Sequence, residues 1–112
     1  MDGQLKFSVR SERDAVIMDV TGQIDMGTSP ALRKALLESL KGTERLAINL
    51  TEVKYIDSSG IASLLEVLQD AKKSKKRIVL FGLTASVLQV LQLTRLTRVF
   101  EIHETELQAL EA

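Results

Sequence analysis

The sequence predicts an α/β fold, in which a mixed, mostly parallel β-sheet is opened by an antiparallel hairpin and flanked by about four helices. Short apolar runs typical of strands alternate along the chain with runs whose apolar residues recur at helical spacing. Such alternation is typical of a sheet whose strands are joined by helical crossovers. Because 112 residues suit one ordinary domain, residues 1–112 are interpreted as a single domain.

Five strands are predicted from runs rich in β-branched and other apolar residues. In the opening hairpin, strands are expected at 5–9 and 15–20, with a charged turn at 10–14. Later strands are expected at 45–50, at 77–82 and around 99–102. The run RLAINL at 45–50 is nearly continuous in apolar residues, which is typical of a strand buried on both faces.

Four helices are predicted between and after these strands. The first is expected to begin at residues 28–30, Thr-Ser-Pro, and to end at Gly42. The last is predicted from Thr105 and Gln108, which have the spacing of a capping box. The expected buried faces are Leu32, Ala35, Leu36 and Leu40 in the first helix, Ile61, Leu64, Leu65 and Leu68 in the second, and Val87, Val90 and Leu91 in the third.

The composition excludes several classes of function. The 15 basic and 15 acidic residues balance, which argues against recruitment to nucleic acid or to an anionic membrane by an overall field. With no cysteine, the chain has neither a disulfide framework nor a thiolate metal site. No apolar run approaches the roughly 18 to 20 residues of a membrane-spanning helix, and no signal-peptide core is visible. We therefore expect a cytoplasmic protein without a cofactor or a metal.

Two loops are polar where a strand is predicted to end and a helix to begin. The first loop, residues 22–29, reads GQIDMGTS, and the second loop, residues 55–60, reads YIDSSG. Both present an acid and hydroxyls at a helix N-terminus, namely Asp25, Thr28 and Ser29 in the first and Asp57, Ser58 and Ser59 in the second. In open α/β sheets, recognition and chemistry tend to lie at such positions.

Helix capping explains part of this pattern, because Asp and Ser accept hydrogen bonds from the free N–H groups of a helix start. One residue caps a helix, however, and the second loop offers three in succession before Gly60, which keeps the approach open. At least one hydroxyl is left over. The N–H groups and the dipole of a helix N-terminus stabilise a phosphate, so a serine of this loop is predicted to be phosphorylated.

The chain resembles the STAS domain of bacterial anti-sigma factor antagonists. The resemblance rests on GQIDMGTSPALRKAL, then LTEVKYIDSSGIASLLEV, then IVLFGL and VFEI, and it covers nearly the whole chain. It implies that the unmodified protein binds an anti-sigma factor that is also a serine kinase, and so frees a sigma factor. Phosphorylation by that kinase ends the interaction, and a serine phosphatase resets it.

Carried over by position, the resemblance implies that Ser58 is the phosphoacceptor, because it directly follows the acid of the motif. The residues expected to serve the partner surface are Asp25, Thr28, Asp57, Ser59 and Gly60. The chain departs from many family members at Ala62, where they have a second glycine. Alanine is the better helix former, so the fold is expected to tolerate this difference, while the partner preference can differ.

The same residues fit other functions less well. A serine hydrolase is disfavoured because Ser58 is not in a Gly-x-Ser-x-Gly elbow and the only histidine, His103, lies far along the chain. No phosphate-binding glycine loop is present, so the chain is expected not to be an enzyme. Asp25 and Asp57 could share Mg²⁺ as in a phosphoaspartate receiver domain, but a further acid and a lysine loop are missing. A STAS domain can also be a scaffold subunit of a larger signalling assembly or a membrane transport complex.

Three remaining features receive structural interpretations. The basic run at 72–77 follows the second helix, where cations complement the negative end of the helix dipole. His103 has no acidic companion at ligand spacing and is interpreted as incidental. The third apolar stripe is richer than one buried face needs, so part of it could serve a partner or a weak homodimer, although core packing is favoured. Its residues are Val87, Leu88, Val90, Leu91, Leu93 and Leu96.

Overall fold

The predicted α/β fold is confirmed by the computed structural model, which describes residues 5–111. The strands are β1 (Leu5–Glu12), β2 (Ala15–Ile24), β3 (Arg45–Ile56), β4 (Arg77–Phe81) and β5 (Glu101–His103). The helices are α1 (Ser29–Lys41), α2 (Ser58–Lys73), α3 (Ala85–Leu93) and α4 (Glu106–Glu111), with a 3-10 turn at Leu96–Arg98. The strands form one sheet in the order β1-β2-β3-β4-β5.

The sheet is antiparallel only at its opening hairpin. β1 pairs with β2 in antiparallel register, whereas β2, β3, β4 and β5 run parallel to one another. Each parallel strand lies next to the one before it in the chain, so α1, α2 and α3 each connect neighbouring strands. The ends of the parallel strands therefore deliver the loops that follow them to one edge of the sheet.

The two faces of the sheet are covered unequally. On one face, alternate residues of β2 and β3 such as Met18 and Ile48 pack with α1, α2 and α3 in the main core. On the other face, Ile17 and Ala47 belong to a smaller cluster beneath the short helix α4. Side chains of opposite parity on one strand thus enter two separate apolar clusters.

The hairpin strands are longer than predicted, and the expected turn at 10–14 is wrong. Arg10 lies within β1, opposite Ile17. Its Nε donates to Asp19 Oδ2 at 2.7 Å, and its Nη1 donates to Glu106 Oε2 of α4 at 3.0 Å. A charged side chain is tolerated in this strand because these two carboxylates pair with it on the thinly covered face, and the turn shortens to Arg13 and Asp14.

The last strand begins later than predicted. Residues 96–98 form a 3-10 turn, and the N–H groups of Val99 and Phe100 donate to the Leu96 carbonyl at 3.0 and 3.2 Å. Because these donors are taken by the turn, they cannot enter the ladder with β4. The strand therefore runs over Glu101–His103.

His103 has an acidic neighbour in the sheet, although among residues 5–111 it belongs to no cluster that could hold a metal ion. His103 Nε2 lies 2.9 Å from Glu101 Oε2, and the same carboxylate accepts hydrogen bonds from Arg77. Arg77, followed by His103, holds the pKa of Glu101 below its usual value. The two side chains meet because residues two apart on a strand project to the same face.

The predicted helices are all present, although the side chain of Thr28 does not cap α1. The capping box of α4 is closed, since Gln108 N donates to Thr105 Oγ1 at 3.2 Å and Thr105 N donates to Gln108 Oε1 at 3.3 Å.

In the basic run, Lys76 Nζ donates to the Leu40 carbonyl at the end of α1. Leu93, in the apolar stripe of α3, is 76% exposed. Within residues 5–111, no helix combines the length and the apolarity needed to cross a membrane.

The predicted buried faces are correct apart from three residues at their margins. Ala35, Leu65 and Val90 are only partly buried, although they pack against the main core. In α2, the buried side chains include Val67 and Ala71, so the buried stripe is wider than the predicted one.

Candidate functional site

The two polar loops lie side by side at the C-terminal edge of the sheet. The first follows β2 and the second follows β3, and these strands are parallel neighbours whose last residues, Ile24 and Ile56, are register partners. The second loop is tied to the first by a hydrogen bond from Asp57 N to the Ile24 carbonyl at 3.1 Å. Residues well separated in sequence thus form one surface.

Asp57 is the N-cap of α2 and organises the second loop. Its backbone is extended, with φ −109° and ψ −172°, so its carboxylate turns back onto the first turn of the helix. Oδ1 accepts hydrogen bonds from the N–H groups of Ser59 and Gly60 at 2.9 and 3.1 Å. It also accepts the Ser59 hydroxyl proton at 2.6 Å. One carboxylate oxygen therefore satisfies three donors.

These donors hold the pKa of Asp57 below its usual value. The hydroxyl of Ser59 has the largest effect, and the N–H groups of Gly60, Ser59 and Met26 act in the same direction. Partial desolvation opposes them. Asp57 therefore stays ionised at neutral pH and places a fixed negative charge at the start of α2.

Ser58 and Ser59 are adjacent in sequence but differ in environment. Ser59 is half-buried and its hydroxyl is bound to Asp57. Ser58 is the first residue of α2, is exposed, and among residues 5–111 its hydroxyl has no hydrogen-bond partner. The spare hydroxyl expected from the sequence is thus that of Ser58.

Gly60 allows the first loop to pack directly against α2. A Cβ built at this position would lie 2.6 Å from Ile24 Cγ2, 2.7 Å from Ile56 Cγ1 and 3.1 Å from the Ile24 carbonyl oxygen. Real Cβ atoms are not found at the two shorter distances. Gly60 is buried, so its contribution is close approach between elements rather than an open surface.

The first loop is closed by hydrogen bonds between Asp25 and Thr28. Asp25 Oδ1 accepts from the N–H groups of Gly27 and Thr28 at 3.0 and 3.1 Å. Thr28 Oγ1 accepts from Asp25 N at 2.9 Å and donates to the Gln23 carbonyl at 2.8 Å. Thr28 precedes α1 but makes no side-chain cap hydrogen bond, because its hydroxyl is committed to the loop.

The structure brings the predicted site residues to the C-terminal edge of the sheet, where Ser58 is exposed and Gly60 is buried. Asp25 lies between Ile24 and Met26, whose backbone groups both interact with the second loop. Within the described residues, Asp25 Oδ2 has no hydrogen-bond partner, so one oxygen faces outward. In the same part of the chain, no group of three or more His, Asp or Glu side chains is placed to hold a metal ion.

Two exposed hydrophobic residues within the loops were not identified from the sequence. Met26 is 78% exposed and Tyr55 is 48% exposed. Met26 lies inside the first loop, and its N–H group helps to lower the pKa of Asp57. The signal that could have identified it is a large apolar residue within the otherwise polar run GQIDMGTS.

The arrangement can accept a phosphate at Ser58 but cannot neutralise it. The N–H groups of Ser59 and Gly60, which would bind an anion at this helix start, already donate to Asp57. A phosphate on the exposed Ser58 would therefore add negative charge beside an ionised carboxylate. The added charge would project toward any molecule docked on this edge.

Sequence comparisons associate the chain with one family. A model of the STAS domain matches residues 6–109. The anti-sigma-B factor antagonist of Listeria monocytogenes is 37% identical over 76 residues, which are 65% of this chain and 67% of that protein.

Solved structures of the same fold include two proteins described as anti-sigma factor antagonists. An anti-sigma factor antagonist from Mycobacterium paratuberculosis superposes with a TM-score of 0.87 at 24% identity, over 97% of this chain and 93% of that one. The Bacillus cell fate determinant SpoIIAA, in its phosphorylated form, superposes with a TM-score of 0.71 at 19% identity, over 95% and 97% of the two chains. At these identities the likeness shows the fold.

Proposed function

Since the chain belongs to the STAS-domain family, we propose that it is an anti-sigma factor antagonist, as its Listeria relative is named. The unphosphorylated form binds an anti-sigma factor serine kinase in the cytoplasm, and the sigma factor held by that kinase is released. Phosphorylation of Ser58 ends the binding, and a serine phosphatase restores it. The protein catalyses no reaction itself and binds neither nucleic acid nor membrane directly.

The observation that carries this proposal is the contrast between the two serines of the second loop. A kinase must reach a hydroxyl that is exposed and not already engaged. Ser58 meets both conditions among the described residues, whereas the Ser59 hydroxyl is held 2.6 Å from Asp57. Phosphorylation of Ser59 would break that bond and the capping arrangement with it. Ser58 is therefore the favoured acceptor.

The proposed switch acts at the interface rather than in the fold. A phosphoserine carries a charge of roughly −1.5 to −2 at neutral pH. Its stabilisation by an exposed helix N-terminus is about 0.3 to 1 kcal/mol, and here the nearest donors are occupied by Asp57. Burying an unpaired charge at an interface costs several kcal/mol. The larger effect is thus a loss of binding.

The site residues divide into two roles under this proposal. Thr28, Asp57, Ser59 and Gly60 fix the shape of the loops, because their polar groups or backbones are committed to internal contacts. Asp25 and Met26 offer the partner an outward carboxylate oxygen and an exposed apolar side chain. A mixed contact of this kind is common in the centre of protein interfaces, where methionine is enriched.

The proposal is tested by incubating the purified protein with its cognate kinase and ATP and measuring the intact mass. The parent and Ser59→Ala should each gain one phosphate, and Ser58→Ala should gain none. Phosphorylation of Ser58→Ala to the same extent as the parent would overturn the assignment. Resistance of the modification to hydroxylamine separates phosphoserine from an aspartyl phosphate. Capture of membrane transport subunits from the native cell, without a kinase, would favour the scaffold alternative.

A further inference from the structure

β1 is an edge strand with few contacts on its outer side. In the described sheet it pairs only with β2, through eight consecutive register pairs from Leu5 to Glu12 without a bulge. All its side chains except those of Leu5 and Arg10 are exposed. An edge of this length presents a row of backbone N–H and C=O groups that can pair with another strand.

The side chains of β1 are sorted by face. Phe7 and Val9 lie opposite Val20 and Met18, whose side chains are buried in the main core. Phe7 is nevertheless 38% exposed and Val9 54% exposed. The apolar row of this face therefore continues to the edge of the sheet and ends in solvent.

The charged side chains of β1 lie on the other face, and two of them are unpaired. Arg10 is held by Asp19 and Glu106. Lys6 and Glu12 have no ion-pair partner among residues 5–111. They are of opposite sign, on the same face, and equally far from Val9 along the strand.

We propose that β1 is the contact strand of a homodimer, in which two copies pair antiparallel about Val9. This register places Lys6 opposite Glu12 of the second copy, and the two-fold axis repeats the pair. It also sets Val9 against Val9, with Phe7 at the diagonal positions, so the apolar row becomes continuous across the dimer. The proposed partner is a second copy of the chain, because the side chains of β1 are complementary to those of an antiparallel copy of β1.

The neighbouring registers lack this complementarity. Pairing about Ser8 would set Lys6 opposite Arg10 of the second copy twice, and like charges directly opposite each other are destabilising. Pairing about Phe7 would leave both Lys6 and Glu12 without a partner. A slip of one residue between the two strands would place the apolar face of one copy on the same side of the sheet as the charged face of the other. Pairing about Arg10 would set Arg10 opposite Arg10 of the second copy and Glu12 opposite Ser8. Only the register centred on Val9 sets Lys6 and Glu12 opposite each other.

Cysteine cross-linking tests the register, since the chain has no native cysteine. Residues directly opposite on antiparallel strands lie within disulfide reach. Under mild oxidation, Val9→Cys should form covalent dimers faster than Phe7→Cys, Ser8→Cys and Leu107→Cys, the last being an exposed control on α4. Faster dimer formation by any of the other three variants, or equal rates, would overturn the proposal.

Charge reversal tests the pairing without a covalent bond. In low salt, sedimentation of the full chain should show that Lys6→Glu and Glu12→Lys each weaken self-association by about tenfold or more. The double variant should return to within about threefold of the parent, because the reversed pairs attract again. A parent that remains monomeric at millimolar concentration, or a double variant no better than the single ones, would refute it. β1 supplies none of the site residues, so this outcome leaves the proposed function unaffected.

Discussion

Replacing Gly60 by alanine should force the two loops apart at their closest contact. The added Cβ would lie 2.6 Å from Ile24 Cγ2 and 2.7 Å from Ile56 Cγ1. Unstrained carbon atoms stay about 3.5 to 4.0 Å apart, so each isoleucine must retreat by about 1 Å. Both are buried and β-branched, which leaves them little rotamer freedom. The third neighbour, the Ile24 carbonyl oxygen at 3.1 Å, belongs to the backbone.

The expected loss of unfolding free energy is the cost of overpacking minus the gain from the higher helix propensity of alanine. Inserting a methyl group into a packed core costs typically about 1 to 3 kcal/mol. Alanine is favoured over glycine inside a helix by up to about 1 kcal/mol. We therefore expect Gly60→Ala to lower the free energy of unfolding by about 1 to 2 kcal/mol. For a domain of this size, that corresponds to a fall in Tm of about 4 to 10 °C.

Gly27 provides a matched control in the same surface. A Cβ there would lie 3.5 Å from Asp25 Oδ1, which is ordinary van der Waals contact. Urea and thermal unfolding of Gly27→Ala should therefore agree with those of the parent within about 0.5 kcal/mol. In Gly60→Ala, hydrogen exchange at the Asp57 amide should also accelerate, because its acceptor, the Ile24 carbonyl, is displaced. If Gly60→Ala is as stable as Gly27→Ala, the close-packing explanation is wrong.

Two further predictions concern the acids of the site. Asp57→Ala should lose about 1 to 2 kcal/mol at pH 7, the range for an N-cap. The pKa of Asp57 in the folded protein is below the reference value of 3.8, so the ionised carboxylate stabilises the fold fully above pH 3.8. This stabilisation is lost as the pH falls through the folded pKa. In urea titrations at acid pH, the difference in unfolding free energy between Asp57→Ala and the parent should therefore become smaller. Asp25→Ala should weaken binding to the kinase while costing at most about 1 to 2 kcal/mol; unfolding of this variant would mean that Asp25 is structural.

The order of the elements could be predicted because local patterns and tertiary structure agree. The run RLAINL becomes the first half of β3, and α1 starts and ends near Pro30 and Gly42. In both elements, the apolar pattern matches the surface that the fold buries.

Strand length could not be predicted, because it depends on pairing with a neighbour. β3 continues to Ile56 through residues that are mostly exposed, and it stays paired with β2 across two register shifts, after Asp19 and after Gly22. Arg10 resembled a turn residue until Asp19 and Glu106 were known to lie beside it. Contacts between distant segments override local propensity at these positions.

The position of the site could be predicted from its residue types, but the hydrogen bonds and contacts within it could not. The sequence places an acid, two serines and a glycine at a helix start, and it left Ser59 as a rival acceptor to Ser58. Only the geometry assigns the Ser59 hydroxyl to Asp57. The close approach of Ile24 to Gly60 joins segments far apart in sequence, so no local pattern could indicate it.

The central claim is tested most directly by the affinity of the anti-sigma factor kinase for the chain before and after phosphorylation of Ser58. Titration calorimetry should use the unmodified protein, the phosphorylated protein and Ser58→Ala carried through the same kinase treatment. Because an unpaired phosphate beside ionised Asp57 would be buried on docking, the phosphorylated form should bind roughly 100-fold more weakly or worse. The treated Ser58→Ala protein should keep the affinity it had before treatment. Equal affinity of the phosphorylated and unmodified proteins would contradict the account.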